Sequence, residues 1–400
     1  VSLSRNIDFL NRLRKMNGIS ALDPSLWGGK PSGAGSRLVE TAEFGPNPGD
    51  LRMFTFAPEG VTGKMPLVVV LHGCGQNAAG YEIGAGWSTL ARRFGFALLM
   101  PEQKSANNSN GCFNWFVPED TTRGSGEAAS IRQMIDHVAG THQIDRDQIF
   151  VTGLSAGGAM TAVMLATYPE VFAGGAIIAG LPFGIASNVQ QALSGMMRSP
   201  AHSARELGDL VRNASAHKGP WPRLSVWHGS ADRTVNPSNA DEIVKQWLDL
   251  HQLPAAPMSE GIVDGYPRQV WWNADGETVI ESYSITSMPH GTPLGLAAND
   301  ERYGVEGAFL LEVGISSSYH IASFFGLTER IPQTIIPQTK AVAMPDLVAP
   351  KPERVEEIAQ AYKVRAKGDR RADQRDPPGR RALDINGVIT RALTAAGLMK

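Results

Sequence analysis

From Leu51 onward, short apolar runs separated by glycine turns alternate with stretches of helical spacing. Residues 66–71 form an unbroken apolar run, the pattern of a strand buried on both faces. A helix is predicted over 87–94 and a second strand over 96–100. Ile131, Met134 and Ile135 space a helix over 127–138, and 148–152 is the next strand. Further along, the pattern predicts a helix at 159–166, strands at 175–179 and 223–227, and a helix at 239–250. Strands that alternate with helices in this way specify a mostly parallel sheet with helices on both faces. Two apolar runs at 270–272 and 279–285, separated by Asn273-Ala-Asp-Gly276, predict a hairpin, and 307–325 contains a closing helix.

Both ends differ from this body. Ile7, Leu10 and Leu13 predict a short amphipathic helix over 5–16, and the Gly-, Pro- and Ser-rich stretch 24–48 reads as a surface loop. Residues 181–222 contain helical pieces and no strand, an insertion that suits a cap or substrate wall. The expected organisation is an extension at 1–50, an α/β domain at 51–330 carrying the 181–222 insertion, and a charged extension at 331–400 ending in a helix over 385–398.

Composition narrows the function classes. With 42% hydrophobic and 19% charged residues in 400, the chain can bury a sizeable core and is not a disordered protein. Lys plus Arg is 37 against 39 Asp plus Glu, a net charge of -2 that offers nucleic acid no basic field. That total averages +5 over 351–400 with -7 elsewhere. The basic end reads as a solvated tail, with a membrane-headgroup or surface anchor as the alternative. No apolar stretch approaches the ~18 residues of a membrane span, so no transmembrane segment is expected. Cys74 and Cys112 are the only cysteines, which excludes a disulfide-rich scaffold and a cysteine zinc cluster and leaves room for one bridge. No His-Glu-x-x-His or phosphate-loop pattern occurs, and neither metal nor organic cofactor is expected. No basic segment followed by an apolar run opens the chain at Val1. That fits a secreted or periplasmic protein whose signal has been removed, and equally a cytoplasmic one.

Candidate chemistry centres on Gly153-Leu154-Ser155-Ala156-Gly157. The pattern alone is common, but here it follows a predicted strand and precedes a predicted helix, where a nucleophile elbow must sit. A serine hydroxyl needs a base held by a carboxylate, and in hydrolases of this layout the acid and then the histidine follow the nucleophile. His290, in the loop after the strand ending at Thr286, is the candidate base, and Asp232, after the strand ending near Trp227, the candidate acid. Asp264 and Asp275 rank below Asp232. His251 and His320 read as structural, His202 and His217 as surface residues of the insertion, and His72 as a turn stabiliser. The backbone N–H groups of Ala156 and Cys74 are the candidate oxyanion donors.

Leu71-His-Gly-Cys-Gly-Gln76, Cys112-Phe-Asn-Trp-Phe116, Gly153-Leu-Ser-Ala-Gly-Gly158, Trp227-His-Gly-Ser-Ala-Asp232 and His290-Gly-Thr-Pro293 occur in this order. As a set they resemble the poly(3-hydroxybutyrate) depolymerase family of α/β-hydrolase esterases, which includes feruloyl and acetylxylan esterase-like members. The resemblance covers about Leu51 to Phe325. It implies an α/β-hydrolase fold, carboxylic ester hydrolysis through Ser155, Asp232 and His290, and an ester substrate such as short-chain hydroxyalkanoate polyester. A feruloyl or acetylxylan esterase is the alternative, and a catalytically silent binding protein on the same fold is the alternative from another class. The resemblance also implies that Cys74 pairs with Cys112, against two free buried thiols, and with a bridge an oxidising compartment follows. In the loop 110–118, Trp115 is the candidate wall of the acyl pocket, with core packing as the competing role. No linker or separate polymer-binding domain is recognisable, which favours soluble oligomers, amorphous polyester or plant-wall esters over crystalline polymer.

Overall fold

A computed structural model describes residues 35–198 and 202–329, all within the first of the chain's two compact units, residues 1–335. The helices expected at 5–16 and 385–398, the first part of the 24–48 loop and the charged tail lie outside the described residues.

In chain order, β1 (Val39–Thr41), β2 (Arg52–Phe56) and β3 (Met65–Leu71) are followed by helices α1 (Ala78–Ala85) and α2 (Trp87–Phe94) and strand β4 (Ala97–Glu102). Then come α3 (Pro118–Thr121), α4 (Gly126–Thr141), β5 (Ile144–Leu154), α5 (Ala156–Thr167) and β6 (Gly174–Ile178). The insertion contributes α6 (Val189–Met197) and α7 (Ala204–Arg212). After it lie β7 (Arg223–Gly229), α8 (Ser238–His251), β8 (Ser259–Val263), β9 (Tyr266–Trp272), β10 (Thr278–Ile285), β11 (Thr292–Leu294), β12 (Leu310–Glu312) and α9 (Ser317–Phe324).

One sheet runs in the order β1-β2-β4-β3-β5-β6-β7-β10-β9-β8, and β11 pairs with β12 separately. The six strands from β4 to β10 are mutually parallel, and antiparallel strands close both edges. All seven residues of β3 are buried, and they serve two cores alternately. Leu67, Val69 and Leu71 join α4, α5 and α8 on one face, while Val68 and Val70 join α1, α2 and α9 on the other. This is why the segment reads as an apolar run rather than an alternation.

The 24–48 stretch read as loop contains β1 in its described part. Three edge residues, two of them exposed, are too few to register a period-2 pattern. Helix α1 also escapes the apolar pattern, because Gly80 and Gly84 interrupt it and buried Tyr81 and Glu82 lie side by side. Gly84 packs against Leu310, and Asn77 caps the helix by accepting from the Gly80 N–H.

The parallel register sets the carboxyl-terminal parts of the strands side by side. Leu71, Gly153, Ile177, Val226 and Ser282 form one row across β3, β5, β6, β7 and β10. Past that row the chain enters the segments holding Cys74, Ser155, Asp232 and His290, and β3 is where the winding reverses direction. The crevice beyond the carboxyl ends at such a switch is where open α/β sheets place their ligands.

The insertion packs down on this edge. Leu181, Ile185 and Leu207 form a small cluster with Ala159 of α5 and Val235, and half-buried Trp115 leans on it. Replacing buried Leu207 with Ala should cost about 2–5 kcal/mol in urea unfolding, because the cavity opens inside this cluster. A loss below about 1 kcal/mol would contradict a packed insertion.

Candidate active site

Ser155 occupies the turn from β5 into α5 with φ 57 and ψ -117, a conformation that side chains rarely adopt and that costs about 1–3 kcal/mol. It persists because the flanking contacts leave no alternative. The Ser155 N–H donates to the Ile178 carbonyl at 2.9 Å, and a Cβ at Gly157 would overlap the carbonyl oxygens of Leu71 and His72. A Cβ at Gly153 would likewise strike Gly157 and Leu71. The glycines of the motif therefore let α5 press its first turn against the end of β3.

That contact brings the turn after β3 beside the start of α5. Within the turn, the Gly73 N–H donates to Gln76 Oε1, the Gly75 N–H to the Asn110 carbonyl and the Gln76 N–H to the Gly73 carbonyl. The N–H groups of Cys74 and Ala156 have no acceptor among the described residues. His72 is wholly buried, with Nδ1 donating to the Gly73 carbonyl at 2.8 Å and Nε2 accepting the Gln103 N–H at 3.1 Å. Burial pushes its pKa down, so it is a neutral strut for the turn.

Cys74 and Cys112 form a disulfide, which ties this turn to the loop bearing Phe113 and Trp115. That loop is anchored again through Glu127 of α4, whose carboxylate accepts the Asn114 N–H and the side-chain amide of Gln103. Burial, with the Asp120 charge second, pushes Glu127 up to about 8. Trp115 is half-buried, meets Phe116 edge-on and touches the core as well as the insertion cluster, so core packing accounts for part of its surface.

Asp232 and His290 meet at the ends of β7 and β10. The Ala231 N–H donates to the Met288 carbonyl, an approach open because Gly229 carries no Cβ to strike Met288. His290 Nδ1 lies 2.6 Å from Asp232 Oδ2, with both side chains buried. A carboxylate only accepts, so Nδ1 carries the hydrogen and Nε2 keeps its lone pair. Burial opposes the charge on Asp232. The His290 ring beside it and hydrogen bonds from His228 and His290 outweigh burial and hold the carboxyl well below its ordinary range.

The other candidates lie elsewhere. Asp264 pairs with His320 at 2.7 Å, Asp275 sits in the β9–β10 turn, and His251 bonds the Pro222 carbonyl. His217 bonds the Pro220 carbonyl. Among the described residues no three His, Cys, Asp or Glu side chains cluster as a metal site. No helix there is long and apolar enough to cross a membrane.

A family model described as esterase PHB depolymerase matches residues 52–259, more than half of the chain. The chain belongs to this family. It is similar to poly(3-hydroxyalkanoate) depolymerase C of Paucimonas lemoignei, with 46% identity over 291 residues that cover 72% of this chain and 70% of that one. It is also similar to an acetylxylan esterase of Coprinopsis cinerea, at 33% identity over 268 residues covering 64% and 70% of the two chains. The acetyl xylan esterase from Aspergillus awamori shares the fold, with a TM-score of 0.61 and 23% identity over 72% of this chain and 99% of that one. This esterase is thus a carboxylic ester hydrolase on an α/β-hydrolase scaffold.

Three residues of the esterase's site escape sequence reasoning. His228 reaches Asp232, and Glu127 sits inside a helix where its spacing reads only as helical. Phe309, with φ 61, meets the His290 ring edge-on at 5.9 Å between centroids. A bulky residue at positive φ signals a position held by its surroundings.

The bridge closes a 38-residue separation, which the loop-entropy relation values at about 4 kcal/mol. The double variant Cys74→Ser, Cys112→Ser should lose about that much in unfolding experiments. Non-reducing peptide mass spectrometry should recover the linked pair, and two freely alkylated thiols would refute it.

Proposed function

We propose that this esterase hydrolyses short-chain hydroxyalkanoate polyester or its oligomers through an acyl-enzyme on Ser155. The observation that carries the reading is the buried His290–Asp232 pair at 2.6 Å, on the same sheet edge as the strained Ser155 elbow. His290 Nε2 takes the Ser155 proton as Oγ attacks the ester carbonyl, and Asp232 holds the ring in the tautomer this requires. The N–H groups of Cys74 and Ala156 receive the tetrahedral oxyanion. His290 then protonates the departing alcohol, and water repeats the steps to release the acid. The 46% identity to a poly(3-hydroxyalkanoate) depolymerase favours a polyester over the feruloyl and acetylxylan esters named for the more distant relatives. The Cys74–Cys112 bridge favours an oxidising compartment.

Purified enzyme should cleave hydroxybutyrate oligomers faster than methyl ferulate or acetylated xylan. Ser155→Ala, Asp232→Asn and His290→Gln should each lower kcat by about 10⁴-fold or more, leaving the residual rate of the oxyanion site. Full activity in Ser155→Ala, or no labelling of the native enzyme by a fluorophosphonate, overturns the mechanism. A preference for ferulate or acetyl esters overturns the substrate class alone.

A further inference from the structure

The Asp232 carboxylate has more partners than a base–acid pair requires. Its Oδ1 accepts the N–H groups of Thr234 at 2.8 Å and Val235 at 2.9 Å. Its Oδ2 faces His290 Nδ1 at 2.6 Å and, at 3.2 Å, the Nε2 of His228. His228 is the penultimate residue of β7 and only 3% exposed. Its Nε2 also lies 2.9 Å from the Val235 carbonyl oxygen.

Both neighbours of that nitrogen are acceptors, so Nε2 must carry a hydrogen. The other ring nitrogen, Nδ1, is buried without a partner among the described residues. Nε2 is therefore the nitrogen that donates, and Nδ1 takes no part in holding the ring. The charged groups facing it are Asp232 on the following loop and Asp241 on α8, while its register partner on β10 is the neutral Ser284.

We propose that His228 is a positioning residue that shares its Nε2–H between Asp232 Oδ2 and the Val235 carbonyl, completing a four-donor cradle that fixes the carboxylate for His290. The inference rests on the triad reading above. Two donors on each oxygen occupy the roughly four lone-pair sites of a carboxylate and leave it no free rotation. They also spread its charge, which limits how strongly it raises the basicity of His290. Without the His228 donor, Oδ2 becomes a stronger acceptor for His290 alone. The imidazolium is then stabilised further, while the carboxylate is less tightly aimed.

The test measures kcat and the pH profile of kcat/KM on p-nitrophenyl butyrate for His228→Leu, His228→Asn and His228→Gln. Leu has no donor, the Asn amide is too short to reach the Nε2 position, and the Gln amide reaches it. His228→Leu and His228→Asn should lower kcat about tenfold or more, in the range typical of orienting partners. Their acid limb should move up by about half a pH unit or more. His228→Gln should stay within about threefold of the native kcat with the limb unmoved. An unmoved limb and native kcat in folded His228→Leu or His228→Asn overturn the proposal, as does a Gln variant that behaves like Leu. If Leu does not fold, Asn alone decides. Loss of activity in Ser155→Ala and Asp232→Asn alongside an inert His228→Asn refutes only this inference, whereas an active Ser155→Ala refutes the reading beneath it.

Discussion

The approach of α5 to the end of β3, backbone against backbone at Gly157, is the contact on which the rest of the site depends. It holds Ser155 at the end of β5 in its strained conformation and places the turn bearing Cys74 next to the first amide of α5. Both consequences follow from packing without side chains, so no hydrogen bond elsewhere in the site substitutes for it. The sheet supplies the complementary constraint. Because β3, β5 and β6 end within a residue of one row and β7 and β10 run past it together to Gly229 and Ile285, the loops after β7 and β10 start side by side, and Asp232 meets His290 there.

Around this edge the surroundings act on the ionisable groups in different directions. Burial and two opposed hydrogen bonds hold His72 neutral. Asp232 stays charged because its partners outweigh burial, while Glu127, buried beside Asp120, is pushed the other way. On the proposed mechanism, surroundings whose charges are set in advance need less reorganisation when charge moves from serine to histidine.

Much of this was legible in the chain because a doubly covered parallel sheet writes its strands as apolar runs and its helices as 3.6-residue spacing. The strand at 66–71, the helix at 87–94 and the elbow at Ser155 carry strong local signals of that kind. Short edge elements do not: β1 is three residues long and mostly exposed, β8 exposes Ile262 to solvent, and β11 is buried throughout, so no alternation marks them. The site divides along the same line. Chain order and element ends single out Ser155, Asp232 and His290 as candidates, whereas the contacts of His228, Glu127 and Phe309 depend on what folding brings beside them. A histidine one residue past a predicted strand has no local mark that separates a core residue from a carboxylate's partner.

The strained turn at Ser155 also has a cost outside the reaction. A glycine there would adopt φ 57 at little steric cost and release the strain that Ser155 now imposes on the fold. On the proposed mechanism stability and turnover compete at this one position, and a search for more heat-resistant forms that scored folding alone would tend to discard the serine.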